Sequence, residues 1–180
     1  MKTTKIAAIG AASIFAVVAL LLAYPAMAAT VTSATSTSII PTPTALSAGQ
    51  TITLTSTSGT WQLLSPSATA TGVKTGTASG TITLTVTGAY VGGYSLSVTS
   101  GTLSINGSSF AIGTGSAVMG PHQAHLVGQG TFASATPGSF LFAAGAHANF
   151  QGQTYNTLRF DVKVNGEEYG VLLLVTAKVS

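Results

Sequence analysis

The stretch Thr81-Ile-Thr-Leu-Thr-Val-Thr87 alternates threonine with a large aliphatic residue at every step. Successive side chains of a strand point to opposite faces, so Ile82, Leu84 and Val86 share one face and the threonines share the other. This period-two alternation is typical of an antiparallel strand with one buried face. The same pentad begins at Thr51 and ends at Thr55, and it predicts a second strand of the same kind.

Two Asn-Gly pairs predict tight β-hairpins, because both residues accept the positive φ that a two-residue type I′ turn requires. Around Asn106-Gly107 this turn pairs Ile105 with Ser108, and Leu103 with Phe110. Around Asn165-Gly166 the same rule gives four pairs: Val164 with Glu167, Lys163 with Glu168, Val162 with Tyr169, and Phe160 with Val171. In both hairpins the large apolar residues fall on one face, so the hydrophobic pattern agrees with the turn.

Helical periodicity is absent beyond residue 28, and turn residues divide the chain into several short strands. Glycine-rich turns are predicted at Gly92-Gly93, Gly113-Thr-Gly115, Gly128-Gln-Gly130 and Gly145. The chain contains no cysteine, so core burial and not disulfide bonds must stabilise it. These features predict one all-β domain at 49–180, a single antiparallel β-sandwich or closed β-barrel of about 8–10 strands.

Residues 1–28 have the pattern of a signal peptide. Lys2 and Lys5 precede an apolar run, and Ala26 and Ala28 form a small-x-small cleavage site before Ala29. Cleavage there predicts an exported protein that is extracellular or held at the cell surface. The alternative is a retained membrane anchor, because the apolar run is long enough to cross a bilayer.

Residues 29–48 are rich in serine and threonine and include Pro41 and Pro43. This composition predicts an extended Ser/Thr/Pro-rich linker. The alternative is a β-prone arm that pairs with the sheet edge of a neighbouring subunit.

Charged residues are scarce: the whole chain has six Lys and Arg and three Asp and Glu. Lys2 and Lys5 leave with the signal peptide, so the basic balance of the mature chain is small. No basic patch remains to neutralise phosphates, and we expect no nucleic-acid partner.

Met119, His122, His125 and His147 are the candidate metal ligands. Imidazole nitrogens with a thioether suit copper, and imidazoles alone suit zinc. Pro121 favours a turn entering a strand, however, and residues three apart in a strand point to opposite faces. The simpler interpretation is a turn with two polar histidines and an unrelated third, so we expect no cofactor, with copper or zinc as the alternative.

Catalysis is not expected. The chain has no Gly-x-Ser-x-Gly motif, and the adjacent carboxylates Glu167 and Glu168 point to opposite faces of a strand. Arg159, Asp161 and Lys163 belong with Glu168 to a charged outer face of the second hairpin, typical of a solvated surface.

Two further surface features have a simple and a functional interpretation. Asn106 begins an N-glycosylation sequon, Asn-Gly-Ser, although the tight turn already accounts for the Asn-Gly pair. Trp61, Tyr90 and Tyr94 would stack on a sugar if they shared a surface, and core packing is the simpler role.

The stretches Gly120–Phe132 and Leu158–Val175 together resemble small secreted β-proteins of archaea whose role is uncharacterised. The resemblance covers the second half of the chain. It implies an exported β-domain and implies no activity and no site residues.

We therefore expect a non-catalytic exported module with a structural, surface-display or adhesion role. Self-association or other cell-surface components are the expected partners, and a membrane is contacted only through residues 1–28 if they are retained. One alternative is a barrel that holds a small apolar ligand, which a core filled by Phe110, Phe140, Phe142 and Phe160 would exclude. The other is the copper or zinc protein.

Overall fold

The strands form one sheet that closes on itself. The computed structural model describes residues 39–40, 45–64, 74–133, 137–150 and 153–180. Within these ranges eight strands follow in chain order: β1 (Thr51–Leu63), β2 (Thr75–Tyr90), β3 (Gly93–Ile105), β4 (Ser108–Met119), β5 (Leu126–Phe132), β6 (Gly138–Phe150), β7 (Gln153–Val164) and β8 (Glu167–Val179). Each strand pairs antiparallel with the next, and β8 pairs with β1, so the fold is a closed barrel and not a sandwich.

The predicted alternation sets the inside and the outside of the barrel. Ile82 and Leu84 of β2 are fully buried, as is their β1 neighbour Ile52. The threonines of the two pentads lie opposite one another, for example Thr53 opposite Thr83, with their hydroxyl oxygens 3.4 Å apart. The interior beside β1 and β2 is therefore aliphatic, and this part of the outer surface is lined by hydroxyl groups.

Both predicted hairpins are confirmed with their predicted pairs. Ile105 lies opposite Ser108, and Val164 lies opposite Glu167. Asn106 has a φ of 52° and Gly107 a φ of 79°, and the second turn has the same signs. The two-residue turns thus fix the register that places the apolar residues inside.

Most of the predicted glycine turns are wrong. Gly92 lies in the β2–β3 turn with a φ of 94°, as expected. The others lie within strands: Gly113 and Gly115 in β4, Gly128 and Gly130 in β5, and Gly145 in β6. A glycine signals close approach of another group as readily as it signals a turn.

Close approach explains β5, where two glycines face two phenylalanines. Gly128 lies opposite Phe142, and Gly130 lies opposite Phe140. A β-carbon on Gly128 would lie 2.5 Å from the Phe142 ring, and one on Gly130 would lie 2.6 Å from the Phe140 ring. Both rings are buried, so the missing side chains of β5 make the space that the aromatic side chains of β6 occupy.

These rings form part of a larger aromatic cluster in the interior. The centroid of Phe140 lies 5.1 Å from that of Phe132 and 5.8 Å from that of Phe160. Phe142 packs 5.8 Å from Phe160, and Phe110 packs 5.5 Å from Phe132 at the margin of the core. Aromatic side chains therefore fill this part of the barrel at ordinary packing distances.

Three residues of the predicted linker belong to the core. Ile39 is fully buried, Ile40 is 4% exposed and Leu46 is 8% exposed, all in the same hydrophobic cluster as the strands. These apolar residues, which precede the predicted boundary at residue 49, therefore help to fill the barrel. The predicted signal peptide lies outside the described residues. Those ranges contain no helix long and apolar enough to cross a membrane.

The glycine–phenylalanine pairs predict unequal effects of two Gly→Ala substitutions. Gly128→Ala should lower the free energy of unfolding by about 1–3 kcal/mol, because its β-carbon overpacks the Phe142 ring. Gly88→Ala is the matched control, since nothing lies within 4 Å of its added β-carbon. Its effect should stay within about 0.5 kcal/mol. Urea denaturation measures both, and equal effects would contradict the packing described.

Candidate functional site

The up-and-down strand order gives the barrel two distinct ends. One end holds the β2–β3, β4–β5 and β6–β7 connections, the start of β1 and the end of β8. We call it the arm end, because Ile39 and Ile40, here called the arm, pack there. The other end holds the two Asn-Gly turns, and we call it the hairpin end.

The arm is held by a defined set of polar contacts. The backbone N–H of Ile39 donates to the carbonyl of Gln123 at 2.9 Å. The side-chain amide of Asn156 donates to the carbonyl of Ile39. Both backbone groups of Ile39 are thus bonded inside the barrel, as a buried peptide group requires.

The two residues that bind Ile39 are also the buried polar residues of the described ranges. Gln123 is 5% exposed and Asn156 is 7% exposed, and the other buried residues there are apolar. Asn156 occupies an inward position of β7, in phase with the buried Leu158 and Phe160. Burial of a polar side chain is unfavourable without a hydrogen bond, and the Asn156 amide group meets this requirement through the Ile39 carbonyl. Gln123 contacts Ile39 through its backbone carbonyl.

The β4–β5 connection adopts an uncommon backbone conformation where it meets the arm. It is a short 3-10 turn, Pro121–Gln123, in which His122 has a φ of 55° and Gln123 a φ of 57°. Two consecutive residues with a β-carbon rarely occupy this left-handed region. Hydrogen bonds from Gly120 to His125 and from Gln123 to Gly120 stabilise the turn. The Gln123 carbonyl then receives the Ile39 N–H.

Two tyrosines extend the polar contacts of the arm end. The Tyr94 hydroxyl accepts a hydrogen bond from the backbone N–H of Leu46 at 3.2 Å. The Tyr90 hydroxyl donates to the carbonyl of Met119 at 3.3 Å. The chain just before β1 is therefore fixed to the barrel at Leu46.

The structure separates Met119 from two of the candidate metal ligands. Met119 is fully buried in the core, whereas His122 and His125 are exposed. A β-carbon on Gly145 would lie 2.9 Å from Nδ1 of His125, so His125 lies beside the strand that carries His147. The side chain of His147 lies outside the described residues. In the described part of the chain, no three His, Cys, Asp or Glu side chains form a metal-binding group.

The candidate sugar-binding aromatics do not share a surface. Trp61 is 6% exposed and lies near the hairpin end, whereas Tyr90 and Tyr94 lie at the arm end. Core packing is therefore the role of Trp61. Asn106, the sequon residue, is exposed at the tip of the β3–β4 turn.

Trp61 and Tyr169 pack together near the hairpin end. Their rings meet edge to face with centroids 5.6 Å apart. The Tyr169 hydroxyl donates a hydrogen bond to the Glu167 carboxylate. Burial, the hydrogen bond to Glu167 and the negative charge of Glu167 together raise the pKa of Tyr169 to about 12. The indole N–H of Trp61 is buried without a partner, and its ring lies against Gly76.

The predicted charged face is confirmed. Arg159 and Asp161 form an ion pair at 3.1 Å, and Lys163 and Glu168 form one at 3.4 Å across the hairpin. The second pair is largely exposed, so it contributes little to stability.

Sequence reasoning missed the residues that bind the arm. Asn156 and Gln123 carry no local signal, because both are ordinary polar residues until the barrel closes around them. Ile39-Ile40 did carry one: it is a pair of large apolar residues in a stretch of serine, threonine, alanine and proline. No protein-family model, curated protein or solved structure matches the chain.

Because the Asn156 amide is buried, its truncation should reduce stability more than truncation of an exposed amide. Asn156→Ala should lower the free energy of unfolding by about 1–3 kcal/mol, because the Ile39 carbonyl loses its donor inside the barrel. Gln129→Ala truncates an exposed amide of β5, and its effect should stay within about 0.5 kcal/mol. Chemical denaturation compares the two. Equal values would show that Asn156 does not hold the arm.

The raised pKa of Tyr169 predicts that the fold loses stability in strong base. Its folded pKa of about 12 lies above the ordinary value of 10.0, so ionisation opposes folding. Its contribution is complete below pH 10 and is lost as the pH rises towards 12. Ultraviolet titration should show one tyrosine ionising near pH 12, absent in Tyr169→Phe and retained in Tyr90→Phe. A late step that survives Tyr169→Phe would refute the assignment.

Proposed function

We propose that the chain is a non-catalytic exported β-barrel with a structural, display or adhesion role at the cell surface or outside the cell. The observation that carries the proposal is the filled interior, sealed by the chain's own arm. A carrier of small apolar molecules needs an apolar space with an entrance. Packed phenylalanines and Ile39 occupy those positions in this barrel.

The distribution of charge also supports a non-catalytic role. General acid–base catalysis needs titratable groups that converge in a cleft. The ion pairs of this chain instead lie on the outer face of β7 and β8, away from the interior. The buried polar residues of the described ranges are amides, which do not titrate.

Export is supported by the amino-terminal pattern of residues 1–28. The resemblance of the second half to small secreted archaeal β-proteins agrees with this role. Threonines on the outer face supply hydrogen-bonding groups without long charged side chains, which suits a module displayed in water.

Native mass spectrometry of the protein isolated from its own host tests this role. We expect a chain that begins at Ala29 and carries no metal ion and no small molecule that is released on denaturation. A released adduct of a few hundred daltons would contradict the proposal in favour of an apolar-ligand carrier. A metal adduct lost in His122→Ala/His125→Ala would contradict it in favour of a copper or zinc protein.

A further inference from the structure

The barrel holds its own arm by the kinds of contact that hold a bound peptide. It recognises both backbone groups of one residue: the Gln123 carbonyl accepts the N–H of Ile39, and the Asn156 amide donates to the Ile39 carbonyl. It also buries the two aliphatic side chains of the arm, which are 0% and 4% exposed. A donor, an acceptor and apolar pockets together are the means by which proteins bind an extended peptide.

The arm is not part of the sheet that it seals. All eight strands pair with two neighbours without any contribution from residues 39–40. The arm also precedes β1 in the chain, so its removal breaks no strand pairing. The barrel can therefore keep its sheet while its end is empty, and an empty end would leave the Asn156 amide without its partner.

Leu46 anchors the chain before β1, so five residues, 41–45, separate the arm from this contact with the barrel. Ten residues, 41–50, join Ile40 to Thr51, and Pro41 and Pro43 lie next to the arm. Five extended residues reach up to about 17–18 Å, which allows the arm to enter the end of an adjacent barrel.

We propose that the arm end accepts Ile39-Ile40 of a second copy, so that exported barrels associate by exchanging arms. Exchange replaces each contact with an identical one, which makes it a low-cost route to association. The tethered arm competes at an effective concentration of about a millimolar, so exchange is favoured where copies are crowded, as on a surface. This inference rests on the proposed structural role and supplies its mode of self-association.

Two complementary variants of the exported chain test the exchange. The first copy carries Ile39→Asp/Ile40→Asp, which disables its arm and leaves its barrel end empty. The second copy carries Asn156→Arg, which blocks its barrel end and leaves its arm free. Each alone should be monomeric by light scattering. Mixed, they should form a complex with a Kd at least about 100-fold lower than that of the wild-type self-association, because no tethered arm competes.

A matched control adds the same charge elsewhere. Val91→Asp/Val127→Asp alters two exposed valines, 102% and 47% exposed, and leaves the arm intact. This copy should not bind the Asn156→Arg copy tightly, because its own arm fills its barrel end. If it binds as well as the arm variant does, or if the arm variant and the Asn156→Arg copy stay monomeric when mixed and folded, exchange is refuted.

A second measurement serves if a variant does not fold. A labelled peptide of residues 35–44 is titrated into the wild-type protein and followed by fluorescence anisotropy. We expect saturable binding that a peptide with both isoleucines changed to aspartate does not show. Equal behaviour of the two peptides would refute a peptide site at the arm end. Either result would refute arm exchange alone. The proposed function is tested separately, by the native mass of the protein from its host.

Discussion

A closed barrel has no free sheet edge, but it has two open ends, and an apolar interior must be covered at both. At the hairpin end Trp61 and Tyr169, both strand residues, pack edge to face and help to cover it. At the arm end residues from outside the sheet help to cover it, since Ile39 and Ile40 are buried there. The buried Asn156 amide and the unusual conformation of the β4–β5 connection both lie where the arm is bound.

The sequence predicts the parts of the fold that depend on neighbours along the chain. Alternation identifies the inward residues of β1 and β2, and the two Asn-Gly turns fix the register of two hairpins. The sequence does not decide between sandwich and barrel, because closure depends on the pairing of β8 with β1, the two most distant strands. The sequence also predicts turns at Gly128 and Gly130, which lie within β5. Their lack of side chains makes room for two phenylalanines on the next strand, which no local pattern reveals.

The candidate site is less predictable for the same reason. Asn156 and Gln123 become a binding site only when β7 and the β4–β5 connection meet at one end of the barrel. The histidines, which do carry a local pattern, lie exposed, and Met119 is buried apart from them. The proposed role accordingly depends on the packed interior and the arm and not on any motif. It accounts for a chain that buries aliphatic and aromatic residues, displays hydroxyl groups and carries few charges.

The central claim is that Ile39 is bound inside the barrel end, and hydrogen exchange of its backbone amide tests it most directly. If the N–H donates to the Gln123 carbonyl in the interior, Ile39 should exchange at least about a thousandfold more slowly than an unstructured peptide. The buried strand residue Leu84 provides the internal reference for an intact barrel. Exchange of Ile39 at the unstructured rate, with Leu84 still protected, would show that the arm does not seal the barrel.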